Sequence, residues 1–534
     1  MASASSGAYL AGRQAVSDNN FVTASKFQTK SVSVDPSNAK LLESLMVSYL
    51  AQGSVGRAIS IAEVYRSNGY TNQISQMILS AALLKNGKNE TFLRFVKDAS
   101  KITPILKDLL SAYVLMGQGD EVNANLIFDK TAKVQGMGYF ANFHRAMSQL
   151  SASKFDSAKE TFDLIHNDQA NPTRRSVIYH AKILIFQEQF NEAYNLIEKW
   201  FGPTYDPEID ELLSNISGKK VYPKNSFPKI NIAVADVFHS IANLISKEAD
   251  PTFTLIYSRL AQYLDDTHVD STLMTAELLV ELGQHKLAIR EHEKLSKSQP
   301  QFFASELGRA EALRSSGKEM EAIEVLAELT AQYPNSASGF TTLGNHYRRL
   351  ESYDKAETAY GKAIQIYEAD GEAGWFLYYV RGITRERLDF WSLAEKDFRK
   401  ALSINPSQPQ VLNYLGYSLI EKNSNLDEAL DMIERAVKES PDSGYIVDSL
   451  GWGYYKLGHY EKAVPKLERA AELMPVDPII NDHLGDVYWM VGRKTEAEFQ
   501  WRRALSFDPE DKDIKRIKKK LKVGLTQVLM DENI

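Results

Sequence analysis

The chain has 534 residues, a formal net charge of −7, 44% hydrophobic residues and no cysteine. That length exceeds one compact domain, so the chain either splits into domains or grows as a quasi-linear array. The missing cysteine excludes disulfides, thiol nucleophiles and cysteine-ligated metal sites, the acidic balance argues against nucleic acid as principal partner, and no apolar run approaches the roughly 18 residues of a membrane-spanning helix.

The start, Met1-Ala2-Ser3-Ala4-Ser5-Ser6, lacks the basic and apolar regions of an export signal. Two readings fit: a native cytoplasmic start, or a chain whose signal has been removed. A repeating frame follows at once. Ala11-Gly12, Ala15, Phe21, Ala24 and Pro36 form a first unit, and Leu45, Tyr49, Ala58 and Ala62 repeat it 34 residues on. From 73 to 200 the frame weakens but Ala124, Ala158 and Ala193 keep intervals of 34 and 35. Ile178, Ala181, Ile185, Phe190, Ala193 and Ile197 continue the amphipathic helical period, so these are degenerate repeats and the more irregular part of the array. The stretch from Gly202-Pro203-Thr204-Tyr205-Asp206-Pro207 through Ser217-Gly218 to Pro223 and Pro228 is rich in breakers and predicts an insertion loop. A plain connection and a hinge or docking loop both fit it.

Regularity returns after 268. Ala288, Ala322 and Ala356 step by 34, as do Pro300 and Pro334. The unit from 337 carries Phe340, Leu343-Gly344, Tyr347, Tyr353, Ala356, Tyr360 and Ala363, and the next carries Gly382, Ala394, Phe398, Ala401 and Pro406. Over 409–511 one module is written three times: Asn413-Tyr414-Leu415-Gly416-Tyr417, Asp448-Ser449-Leu450-Gly451-Trp452 and Asp482-His483-Leu484-Gly485-Asp486. Each is followed by a small residue (Ala429, Ala463, Ala497) and a closing proline (Pro441, Pro475, Pro509). Leu-Gly, aromatic, Ala and Pro at a period of 34 are the signature of the tetratricopeptide repeat, a helix–turn–helix unit. Glycine suits a place where two helix backbones nearly touch, and proline a place where the second helix must stop. After Pro509, Ile514, Ile517 and Leu521 share one face of a capping helix whose other face is Lys512, Lys515, Lys518, Lys519 and Lys522. That basic face reads as solvated charge, with a nucleic-acid or acidic-lipid patch as the alternative.

Catalytic chemistry finds little support. The glycines stand singly at helix-packing positions, no Gly-x-Ser-x-Gly elbow occurs, and the ten histidines are scattered without His-Glu-x-x-His spacing. Asp482, His483 and Asp486 have metal-ligand chemistry but occupy ordinary first-helix positions, so no metal or cofactor is expected. Binding chemistry is better supported. In stacked helix pairs the first helices line a groove, and counting from the small residue places Asn345, Arg348, Tyr379, Asn413, Tyr417, Asp448, Trp452, Tyr455, Asp482, Asp486 and Trp489 on that face. Amides and carboxylates satisfy a peptide backbone, and Tyr and Trp bury apolar area at low entropy cost. Several of the aromatics also suit packing between repeats. Without a Lys/Arg cluster in this set, an internal segment or a folded surface is the expected ligand.

The run Asn413 to Leu419, Leu426-Asp427-Glu428-Ala429, Asp448 to Trp452, and His483-Leu484-Gly485-Asp486-Val487-Tyr488-Trp489 with Ala497 and Trp501 resembles a family of bacterial envelope tetratricopeptide-repeat proteins. One member of that family is an outer-membrane lipoprotein that holds a carboxyl-terminal processing protease. The resemblance covers about 409–511 clearly, and implies export, periplasmic or outer-membrane residence and a protein partner such as an envelope protease or assembly factor. The lipid-bearing cysteine of such lipoproteins is absent here.

The expectation is therefore an all-α superhelical solenoid of roughly fourteen helix pairs with a capping helix. Its parts are repeats over 5–200, an insertion loop over 201–228, a repeat-like pair over 229–268, a regular array over 269–511 and a cap and tail over 512–534. Its expected role is a non-enzymatic scaffold. A holder of exported client chains, an enzyme or enzyme regulator, a cytoplasmic variant and self-association remain alternatives.

Overall fold

The computed structural model describes residues 2–168, 172–201, 206–371 and 373–532. Gly202 to Tyr205 of the expected insertion therefore lie outside the described residues. Those described form thirty-two α-helices and one short 3-10 turn, with no strand among them. The helices pair in sequence, from Ala2–Ser17 with Phe21–Val32 to Pro478–Met490 with Lys494–Ser506, and Asp511–Val523 and Leu525–Glu532 follow as the C-terminal cap. The chain divides into two compact units, 1–335 and 336–534. The division falls inside the stretch that the sequence marks as one regular array.

In the second unit, glycine stands wherever first and second helices come closest. A Cβ on Gly451 would lie 2.5 Å from Leu467, one on Gly485 2.5 Å from Trp501, and one on Gly416 2.8 Å from the carbonyl oxygen of Ala429. The last contact is with backbone, which cannot rotate away. Gly416→Ala is therefore expected to cost about 1–3 kcal/mol by overpacking. Gly361→Ala, where the nearest atom is 4.0 Å away on Arg381, is expected to gain up to ~1 kcal/mol by stiffening the helix. Urea unfolding of the two variants checks both signs; equal effects would remove close approach as the reason for glycine.

In the first unit the pairing persists although the Leu-Gly signature fades. Ala112, Ala146 and Ala181 are fully buried at a constant spacing before the equally buried Ala124, Ala158 and Ala193. Alanine thus takes glycine's place at the helix crossings. Within the expected insertion over 201–228, residues 218–228 carry only a short 3-10 turn, whereas Pro207–Ser217 is a helix and not loop. Asp206 caps it, accepting from the backbone N–H of Glu208 at 3.0 Å, and Pro207 takes the first helical position, where its missing N–H costs nothing. Ile209 and Leu212 bury its apolar face with Ile178, Ile185 and Ile197.

Residues 227–264 then cover the first helices of the early repeats. Phe227, Val234, Phe238, Tyr257 and Leu260 join one core with Leu42, Leu45, Met77, Leu109 and Leu110. Polar ties hold the same docking. Gln73 donates to the Tyr257 hydroxyl (3.1 Å), Lys85 donates to the Leu264 carbonyl (3.0 Å), and Arg259 donates to the Ala51 carbonyl (2.9 Å) while pairing with Glu291 (2.7 Å). The face that a partner would use in these repeats is occupied by the chain itself.

Candidate functional site

The second unit leaves its first-helix face with less internal cover. That face is built from Ala337–Arg349, Trp375–Arg387, Pro409–Glu421, Gly444–Lys456 and Pro478–Met490. Helix Gly444–Lys456 packs on both Pro409–Glu421 and Pro478–Met490, so equivalent positions of successive repeats stand side by side.

The residues expected on this face fall into three groups. At the C-terminal end Asp482, Asp486 and Trp489 are spent on the cap. Lys520, fully buried, places its Nζ 2.7 Å from Asp482 and 2.6 Å from Asp486, and Arg516 approaches Asp486 at 3.5 Å. Trp501 donates its indole N–H to Asp486 (2.9 Å), and Trp489 donates to the Thr526 hydroxyl (3.0 Å). The ammonium of Lys520 fills the place where a metal between these carboxylates would stand. Burial and the neighbouring Asp486 charge raise the pKa of Asp482, with Lys520 pulling the other way.

Next come Asp448, Trp452 and Tyr455, all buried. Trp452 stacks between Tyr455 (4.6 Å between ring centroids) and His483 (3.9 Å), and donates to Glu421 at 2.8 Å. Asp448 meets His483 Nδ1 at 3.0 Å. Burial opposes a charge on His483, but the Asp448 carboxylate together with Asp482 and Asp486 outweighs it, and the pKa lies above the ordinary imidazole value. This cluster ties three repeats together. Replacing Asp448 and Trp452 would disturb folding before it reported on binding, because both are built into the packing between repeats.

The third group remains available. Tyr379, Asn413 and Tyr417 are half-buried on neighbouring first helices, with the Tyr379 and Tyr414 rings edge to face at 6.0 Å. Asn413 Oδ1 is buried without a hydrogen-bond partner among the described residues. Burial raises the pKa of both Tyr379 and Tyr417, which keeps their phenols neutral as donors. The Arg348 guanidinium and Tyr445 are near enough to act on Tyr379. Asn345 and Arg348 are anchored from below, Asn345 accepting from the Tyr360 hydroxyl at 2.8 Å and Arg348 donating to it at 3.3 Å.

Sequence reasoning missed His483 as a stacking partner, and it missed Lys520 and Arg516. The signal for the last two was present: Lys520 and Arg516 follow Asp486 and Asp482 by one repeat period of 34. The cap thus continues the register with the charge reversed.

The tetratricopeptide-repeat profile matches residues 379–444 and 449–512, and a profile described as the N-terminal TPR repeats region of Psidin matches residues 278–388. The fold is an all-α tetratricopeptide-repeat solenoid, of the type that typically serves as a non-catalytic protein-binding scaffold. The chain is similar to a TPR repeat-containing protein of Pseudomonas aeruginosa, 29% identical over 157 residues, 29% of this chain and 26% of that protein. It is similar to the lipoprotein NlpI homolog of Haemophilus influenzae, 37% identical over 87 residues, 16% of this chain and 26% of that protein. It is also similar to the human protein O-mannosyl-transferase TMTC1, 24% identical over 206 residues, 39% of this chain and 23% of that protein. The matches span about a quarter of the length of these relatives. No helix among the described residues is long and apolar enough to cross a membrane.

Proposed function

We propose that this chain is a non-enzymatic scaffold of the bacterial cell envelope that holds a protein partner on the first-helix face of its second unit, around Tyr379, Asn413 and Tyr417. The observation that carries the reading is the unpartnered Asn413 oxygen. A buried acceptor left unpaired costs free energy, and a partner's backbone N–H would satisfy it while Tyr379 and Tyr417 supply phenolic donors and apolar area. Support for the envelope comes from the resemblance over 409–511 and from the two bacterial relatives. The first candidate partner is a carboxyl-terminal processing protease, with an assembly factor next.

The test is quantitative capture from a gentle envelope extract by the wild-type chain and by Asn413→Ala, Tyr417→Ala. Both residues are only half-buried, Tyr417 at the edge of the cluster around Trp452, so the variant is expected to fold and to lose about 2 kcal/mol or more of partner affinity. Undiminished capture by the folded variant would defeat the proposal. Loss of many weak clients at once, instead of one dominant partner, would favour a holder of exported chains.

A further inference from the structure

A cavity of about 780 Å³ opens in the first unit, walled by helix Arg174–Phe186, by residues 224–229 and by the turn 265–270. That volume is within the usual range for ligand sites. Its apolar wall is Ile178, Phe227, Ile232 and Val269. Phe227 is locked in place against Phe155 and Phe186, with ring centroids at 5.3 and 5.6 Å, so the segment that closes the cavity is anchored.

The charges around the cavity are unevenly spent. Arg174 is held by Asp206 (2.9 Å) and Glu208 (2.7 Å), and Arg175 by Asp236 (2.6 Å) and Asp270 (2.7 Å). Asp265 accepts from the Thr267 backbone N–H (3.0 Å) and hydroxyl (2.7 Å). Those carboxylates therefore have partners. Three ammonium groups are less well matched. Lys182 reaches Glu208 only at 3.5 Å and shares it with Arg174. Lys224 is engaged by the Phe155 ring at 5.8 Å, and neither Lys224 nor Lys229 has a carboxylate of a described residue within ion-pair distance. Between Arg175 and Lys182, whose charged ends lie 5.2 and 5.6 Å from its ring, Tyr179 makes no hydrogen bond to a described residue. Burial raises its pKa to about 12, so its hydroxyl is a donor at neutral pH.

We propose that this cavity is a second docking site, for a short acidic peptide segment of a protein partner. Carboxylates of the segment meet Lys182, Lys224, Lys229 and the Tyr179 hydroxyl, and an apolar side chain rests on Phe227 and Ile232. Asn225, Ser226 and Gln301 on the walls are amides and a hydroxyl suited to peptide backbone. A hydrocarbon tail would leave them unpaired. The site is independent of the second-unit face, since no residue is shared.

The test uses the full chain and a fluorescein-labelled capped peptide of alternating glutamate and leucine, read by anisotropy. Counterparts with glutamine or lysine in place of glutamate serve as comparators. The acidic peptide is expected to bind saturably and to weaken with salt. K224Q/K229Q removes two charge-assisted hydrogen bonds to the peptide and should weaken binding about tenfold, and Tyr179→Phe severalfold, with Tyr417→Ala leaving it unchanged. Both lysines are exposed, so the double variant keeps the fold. No saturable binding, equal binding of the glutamine peptide, or unchanged affinity in K224Q/K229Q would each overturn the proposal.

Discussion

Replacing Lys520 with Met is expected to cost about 3–5 kcal/mol of unfolding free energy, because the residue stands as the shared cation of buried Asp486 and part-buried Asp482. Its side chain is fully buried, with Asp482 at 2.7 Å and Asp486 at 2.6 Å from the ammonium. Methionine keeps the length of the stem and removes the charge. Asp482 and Asp486 would then face each other with Arg516, at 3.8 and 3.5 Å, as the remaining cation among the described residues within ion-pair distance. Asp482 already takes up a proton more readily than an ordinary carboxylate, and loss of Lys520 should push it further in that direction. Adding Asp482→Asn and Asp486→Asn to Lys520→Met removes the repulsion and is expected to recover most of the loss. Chemical unfolding of the three-residue cycle provides the measurement. A loss below about 1 kcal/mol for Lys520→Met would mean that the cluster behaves as a screened surface pair.

Acid should act first on the first unit. Burial lowers the pKa of His144, His166, His239 and His292 from 6.5 to about 4, and burial with the adjacent His166 lowers that of His180. The geometry agrees: His166 and His180 meet Nδ1 to Nδ1 at 2.7 Å, which leaves no room for two protonated rings, and His144 contacts the Tyr113 hydroxyl at 3.1 Å. Between pH 6.5 and about 4 the unfolded chain takes up protons that the folded unit refuses. Stability therefore falls as pH falls through that window. One fully buried histidine with a shift of this size accounts for about 3 kcal/mol, so several together rival the stability of a typical domain. His483 in the second unit has the opposite sign. Its raised pKa contributes stability that is complete below the unfolded value of 6.5 and is lost as pH rises through the folded one. Hydrogen exchange at pH 7 and pH 5, corrected for intrinsic rates, should show protection lost in helix Gly138–Ser151 and retained in Pro478–Met490. Equal loss in both would contradict the assignment, and His144→Asn should make the first unit's dependence shallower.

The helical-repeat fold was legible because its constraint is local. Two helices crossing at close quarters demand a small residue at a fixed place in each, and a period of 34 exposes that demand even where alanine replaces glycine, as at Ala146 and Ala181. Helix Pro207–Ser217 is hidden because proline reads as a breaker, while after a capping Asp206 it begins a helix. The docking of 227–264 onto the early repeats had no periodic signal at all. Its contacts, such as Arg259 with Ala51, join residues distant in sequence, and ordinary buried leucines and tyrosines carry most of it. On the candidate face the residue types were legible and their availability was not. Asp448 and Asn413 hold equivalent first-helix positions, yet one is paired with a histidine from the next repeat and the other is left without a partner among the described residues. That distinction depends on His483, one repeat further along.

The central claim is that a protein partner docks on the first-helix face around Tyr417. Its most direct test is a photo-crosslinking amino acid placed at Tyr417 and, separately, at Phe499, which is 60% exposed on the second helix Lys494–Ser506. Both forms of the full chain would be irradiated in intact cells. The account predicts one dominant protein adduct from position 417 that is absent from position 499. No adduct at 417, or the same adducts from both positions, would contradict it.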